Sequence, residues 1–422
     1  MNKNLFSWLI YDTANSFLAV SIGGLFLAQW VVLDKGFVDL WYGGTLALST
    51  VFLLITSPFL GAWSDSAGRK LPFLRSLTIT LLVFHGVLAL TAASVLPANI
   101  KVFIVLGLTF FLQYFYQASL IFYNALLDQL STIKNRGLIS GLGEAFGNLG
   151  WIFAAGVLVL FSSGRITLFG EPGRAQTFFP AFLFFGLLSL PMLFVFREIQ
   201  IPLKSLRRSD ARVVYKSALI GLKDLLKNNR NVALFLIAFS LISDGILTIQ
   251  TYFALVMDAM YKIPDTQKYL VTIVMFIPMI IGNYTLGRVG DKIGHKPIMF
   301  WSCLVVSILM ALVLLSSSVT VLYVLAAFLG IGWGGFYVAS RALMVKISPK
   351  ERLGEYFGFY SSFYRFASIV GPLVWGITTL SLKTYGVFKY QIAGFMIIAL
   401  MAVGIYVLTK VREEANMEPK SV

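Results

Sequence analysis

The sequence predicts an all-α membrane protein of twelve transmembrane helices in two pseudo-symmetric six-helix halves. Three observations predict it. Hydrophobic residues make up 58% of the 422-residue chain and charged ones 13%, against about a quarter charged in soluble domains. Apolar runs of bilayer-crossing length, roughly 20 residues each, recur along the whole chain. The frame Gly61-x-x-x-Asp65-x-x-Gly68-Arg69-Lys70 returns 226 residues later as Gly287-x-x-x-Asp291-x-x-Gly294-His295-Lys296. Each copy fills a short loop between two apolar runs, so the repeat marks two homologous halves. That organisation is typical of alternating-access solute carriers.

The runs read as spans at 5–33, 41–63, 73–95, 101–127, 137–162 and 178–196, then 231–257, 267–288, 298–316, 318–347, 357–380 and 389–410. The expected organisation is a six-helix half over 1–196, a central loop over 197–230, a second half over 231–410 and a tail over 411–422. The first run follows a short polar lead and lacks a small-residue cleavage site, so it reads as a retained helix. The single cysteine, Cys303, lies within a span, so no internal disulfide can form.

A net charge of +15 suits a nucleic-acid protein until its distribution is examined. With the N terminus in the cytoplasm, counting spans puts 24 Lys and Arg on the cytoplasmic side and 8 opposite. Arg341 and Arg365 fall within spans. This is the positive-inside pattern, which places both termini and the central loop in the cytoplasm and suits a bacterial inner membrane. Anionic headgroups account for the basic surface, and nucleic acid is not expected as a partner. A monomer is expected.

Nine basic and three acidic residues lie between Arg197 and Arg230. Within that stretch Val214, Ala218, Leu222 and Leu225 share one helical face, with Lys216, Lys223 and Lys227 away from it. Such a segment forms an amphipathic helix on the membrane surface. A plain solvated tether would show the same pattern.

Polar residues inside spans are costly in hydrocarbon and mark function. Span 1 carries Asp12, Asn15 and Ser16 on one face. Span 4 carries Gln113, Gln117 and Asn124, with Tyr116 and Tyr123 alongside. Span 7 carries Ser240, Asp244, Thr248 and Thr251, and span 10 carries Trp333, Tyr337, Ser340 and Arg341. Spans 1, 4, 7 and 10 are equivalent under the repeat, so four polar stripes around one aqueous cavity explain the pattern. Helix–helix hydrogen bonding is the competing explanation for any single Ser, Thr or Asn.

Tyr11-Asp12-x-x-Asn15-Ser16, Ser243-Asp244-Gly245, Ser340-Arg341-Ala342 through Pro349, Phe357-Gly358 and Gly371-Pro372 resemble one branch of the major facilitator superfamily. It is the branch related to the fungal vacuolar amino-acid effluxer linked to autophagy, together with its bacterial members. The superfamily likeness covers the full length, and His295 departs from its loop motif, where Arg is usual. The resemblance implies a twelve-helix carrier for small organic solutes, amino acids being the best-known substrates. It also implies that span 3 lies on the outside of its half, which makes His85 a packed core histidine.

Depth sorts the charged residues. At 1.5 Å per residue, Asp244 lies roughly 20 Å into span 7, near the middle of a hydrocarbon core about 30 Å thick. An acid at that depth beside Gly245 is a candidate proton acceptor or cation ligand. Pairing with a buried Arg or a helix N–H is the alternative. Asp12, Glu144, Arg341 and Arg365 fall in the cytoplasmic third of their spans, where a gate network or a substrate contact both fit. Asn148 shares the face of Glu144. In the loop motif, Asp65 can accept N–H groups at a helix start in the other half, while Arg69 and Lys70 hold acids or lipid phosphate. Gly61, Gly68 and Asp291 complete the expected gate.

Two histidines, one cysteine and the lack of a GxxxxGK[ST] loop leave ATP-driven transport and metal catalysis without their residues. No cofactor or metal is expected. The reading is an ion-driven secondary carrier, with protons or another cation, a small-molecule substrate and membrane lipids as partners. A lipid or lysophospholipid flippase and a non-transporting receptor are the alternatives.

Overall fold

The computed structural model describes residues 3–67, 69–131, 136–198, 211–349 and 352–413. Among the described residues every regular element is helical. In hydrocarbon the backbone must satisfy its own N–H and C=O groups, and a helix does so within one segment.

In the first half, α1 is Lys3–Leu18, α2 Asp39–Ala67, α3 Leu71–Ala93, α4 Ala98–Ala125, α5 Arg136–Ser162 and α6 Phe178–Leu190. The central stretch contributes α7, Ala211–Asn228. The second half holds α8 Arg230–Val256, α9 Asp265–Ile293, α10 His295–Leu315 and α11 Val319–Ile347. It closes with α12 Leu353–Phe366, α13 Val370–Ser381 and α14 Phe388–Thr409.

Among the described residues, eleven continuous helical runs are long and apolar enough to cross a bilayer. They are the expected spans 1–10 and 12. The expected helix over 357–380 is corrected: it is two helices, α12 and α13, of 14 and 12 residues, each too short to cross alone. Local chemistry explains the interruption. Pro372 has no N–H to offer the carbonyl of Ser368, and the N–H of Gly371 is taken by the Asp244 side chain. The first span is also irregular, passing through π turns at Ala19–Gly24 and Trp30–Asp34.

The helices sort their faces as a lipid solvent requires. On α3, Leu74, Thr78, Leu81, His85 and Leu88 are buried, while Ile79, Val83, Val87 and Leu90 form an exposed apolar stripe. Spacing of three and four residues produces both stripes from one helix. His85 is wholly buried beside Phe182 and Phe185.

Two compact units result. One comprises Met1–Lys216 with Pro264–Tyr269, the other Ser217–Ile263 with Leu270–Val422. Glycines set the close helix contacts within each. In the first unit, a Cβ at Gly143, Gly147 or Gly150 of α5 would collide with Trp8, Asp12 or Thr13 of α1. In the second, Gly330 and Gly334 of α11 let the α9 backbone approach at Met275 and Met279. Small residues one turn apart are the usual device for such contacts in membranes.

On α7, Leu225 is buried and Leu222 partly so, while Lys216, Lys223 and Lys227 are exposed. The side chains of Val214 and Ala218 lie outside the described residues. A 2.7 Å ion pair between Asp224 and Arg352 fastens α7 near the start of α12.

Candidate functional site

Span 7 staples the interruption of span 11. Asp244 is 2% exposed, and its Oδ2 accepts the Gly371 N–H at 2.7 Å, at the first turn of α13. One turn earlier, Ser240 Oγ donates to the carbonyl of Phe363 in the last turn of α12, at 3.1 Å. Ser240 and Asp244 therefore bond to groups at both ends of the break. A carboxylate at a helix N-terminus also meets the positive end of the dipole, worth about 0.3–2 kcal/mol depending on burial.

The second oxygen of Asp244 and the hydroxyl of Thr248 are buried without a hydrogen-bond partner. Both lie against Gly371, where any Cβ would collide with Thr248 Oγ1. A buried polar atom without a partner is costly, and these two lie together against Gly371. The carboxylate can take a proton on its free oxygen with a hydroxyl close by.

The span 1 stripe packs on α5. Asp12 lies against Gly147, and Ser16 Oγ donates to the Gly147 carbonyl at 3.0 Å. Thr13 Oγ1 donates to the Phe146 carbonyl at 3.3 Å. Asn15 is buried with neither amide atom paired. The Glu144 side chain lies outside the described residues, while Asn148 is partly buried.

In span 4, Gln117 donates to Thr50 of α2 at 3.2 Å, Gln113 is partly buried and Asn124 is exposed. Tyr123 and Trp8 stack at 4.8 Å and exchange hydrogen bonds with each other's backbone carbonyls. In span 10, Trp333 is buried and Tyr337 sets its ring edge-on to Tyr364. Ser340 bonds Tyr360 at 2.9 Å. Arg341 is exposed on α11 and Arg365 partly buried on α12.

The loop motifs reveal a device that the spacing alone did not. Glu198, just after span 6, accepts the N–H groups of Lys70 at 2.6 Å and Leu71 at 2.9 Å, at the start of α3. Glu413, just after span 12, accepts those of His295 at 2.6 Å and Lys296 at 3.0 Å, at the start of α10. Each glutamate follows an arginine whose backbone exchanges two hydrogen bonds with an asparagine at the head of the half. Asn4 does this with Arg197, and Asn231 with Arg412. Gly294 is required here on two counts: its φ is +101°, and a Cβ would strike the Glu413 carboxylate.

Asp291 is 73% exposed, with His295 Nε2 at 3.5 Å. Arg69 is exposed and Lys70 partly buried. The side chain of Asp65, the surroundings of Gly61, and Gly68 altogether lie outside the described residues. Burial alone would raise the Glu413 carboxyl, but the two helix N–H groups and Lys346 overcome that and hold it below its ordinary value.

A further polar cluster went unread in the sequence. In the first unit, Arg174 bonds both oxygens of Asp265 at 3.2 Å and also pairs with Asp34. Lys268, fully buried, bonds Asp265 at 3.1 Å and Gln29. The spacing of Asp265 and Lys268, one turn apart where span 8 begins, was the available signal.

Residues 234–421 match the family model described as the Major Facilitator Superfamily. An uncharacterized MFS-type transporter, YxiO of Bacillus subtilis (strain 168), is 24% identical, covering 98% of this chain and 95% of that protein. Autophagy-related protein 22 of Eremothecium gossypii is 25% identical over 60% of this chain and 51% of its own length. Among solved structures, that of nucleoside transporter NupG superposes with a TM-score of 0.73 at 16% identity, covering 97% of this chain and 99% of that one.

Proposed function

We propose that this chain, a member of the major facilitator superfamily, is a proton-coupled secondary transporter of a small organic solute, with amino acids the first class to test. The observation that carries the coupling is the Asp244–Gly371 hydrogen bond. The carboxylate sits at mid-span and holds the start of α13, so its charge and the shape of span 11 are linked. Protonation removes the charge that the α13 N-terminus attracts and weakens a charge-assisted bond, roughly twice as strong as a neutral one. Proton occupancy then biases which arrangement of span 11 is favoured, which is what coupling requires. The amino-acid assignment rests on the resemblance carried by the span 1 and span 7 motifs.

Reconstituted vesicles with an imposed pH gradient test the reading. Asp244→Asn imitates the permanently protonated form. It is expected to abolish uphill accumulation while substrate still stabilises the purified protein against heating. Full accumulation by the variant removes Asp244 from coupling and leaves Asp12 or Glu144 as the candidate. A melting-temperature screen of amino acids, peptides, nucleosides, sugars and lysolipids identifies the substrate class. Stabilisation by lysolipids alone would replace the solute carrier with a flippase.

A further inference from the structure

At the end of the second unit that carries the loop motif, Lys296, Thr409, Lys410, Val411, Arg412 and Glu413 line an open cavity of about 420 Å³. Three of the six are basic. The acidic member does not oppose an anion there, because both its oxygens are already used. Glu413 Oε1 accepts from the His295 N–H and from Lys346 Nζ, and Oε2 accepts from the Lys296 N–H. The cations remain available. Lys296 Nζ spends one donor on the Thr409 carbonyl, Lys410 rests over the Tyr406 ring at 5.1 Å, and Arg412 is fixed only through its backbone. The cavity is thus a hydrogen-bonded backbone bracket fringed by three cationic side chains.

The helices that bound it say what kind of anion fits. On α14, Met396, Val403 and Tyr406 are exposed, and on α10 Trp301, Val305, Ile308 and Leu312 are exposed. In a membrane-spanning bundle those apolar surfaces meet acyl chains, with an aromatic ring near the interface. A basic recess at a helix end, continuous along its helices with acyl-facing surface, has the chemistry of a phospholipid headgroup site.

We propose that this recess binds the phosphate of an anionic phospholipid in the leaflet facing the loop motifs. The bound lipid would bridge Lys296 on α10 to Lys410 and Arg412 after α14. It would then hold the tail against the same helix start that Glu413 caps. This inference does not depend on the transported solute.

Native mass spectrometry of the full-length protein in mixed micelles tests it, with phosphatidylglycerol and phosphatidylcholine competing at equal concentration. Phosphatidylglycerol is expected to be retained preferentially, and the preference to fall as salt rises. Each of Lys296→Gln, Lys410→Gln and Arg412→Gln should weaken retention roughly fivefold, about 1 kcal/mol per basic residue at a membrane surface. Lys389→Gln, at the other end of α14, should leave it unchanged. Equal retention of the two lipids by the wild-type protein overturns the proposal whether or not the variants fold. So does unchanged retention in the three recess variants. If inorganic phosphate displaces the lipid at equal molarity, the recess is a small-anion site and the lipid assignment fails.

Discussion

The side chain of Asp244 in span 7 holds the backbone of Gly371 in span 11 at 2.7 Å, where α12 gives way to α13. Two spans of the second half are thereby joined through one ionisable group and one amide. The contact is possible only because residue 371 has no side chain.

Gly371→Ala should expose that dependence. The added methyl meets Thr248 Oγ1 and the free oxygen of Asp244, and overpacking of this kind costs about 1–3 kcal/mol. Melting temperature is expected to fall, and Thr248→Ala in the same chain should recover part of the loss by removing the nearer atom. An unchanged melting point for Gly371→Ala would mean that the Asp244 contact is loose.

Glu413 predicts a pH dependence. Its carboxyl is held below its ordinary value of 4.5 by the start of α10 and Lys346. A depressed carboxyl contributes stability that is complete above the unfolded value and is lost as pH falls through the folded one. Glu413→Gln should therefore be less stable than wild type at neutral pH. Charge-assisted hydrogen bonds suggest a deficit of about 1–3 kcal/mol. The gap should close as pH drops below 4.5. Amide exchange at His295 and Lys296 reads it directly, and a gap that persists in acid would exclude charge as its origin.

The buried cluster in the first unit predicts an asymmetry between partners. Asp265→Asn leaves Lys268 buried without its carboxylate, and breaking a buried pair costs about 3–5 kcal/mol. Lys268→Met leaves Asp265 with Arg174 and should cost less. The double variant should melt above Asp265→Asn alone. A loss in the double variant equal to the sum of the two single losses would show that the charges act independently.

Topology is checked by reporter fusions. Those at Ser209 and Pro419 are expected to report cytoplasm, and one near Gly170 the opposite side. A cytoplasmic signal at Gly170 would overturn the orientation.

The spans and the repeated frame were legible because each leaves a local trace, length or spacing, although Gly287–Ile293 of the frame continues α9 and does not form a loop. The break in span 11 left only Gly371-Pro372. Whether such a pair ends a helix depends on who receives the orphaned N–H, and Asp244 is 127 residues away. Asn4 and Arg197-Glu198 have counterparts in Asn231 and Arg412-Glu413, so a wider search for repeats would have found the brackets. For Ser16 and Ser240 the competing explanation holds, since both donate to neighbouring helix carbonyls, as Thr13 also does. Periodicity gives a face, and only packing tells what that face meets.

The brackets carry one more consequence. Asn4, Lys70, Arg197 and Glu198 all lie at or before position 198, and Asn231, His295, Arg412 and Glu413 all lie at or after position 231. Each bracket ties the first, third and last helices of its own half. A polypeptide severed between Glu198 and Ala211 should keep each bracket whole, while Pro264–Tyr269 of the second piece must still return to the first unit. A gene divided at that point and translated as two cistrons should still deliver both bodies to the membrane.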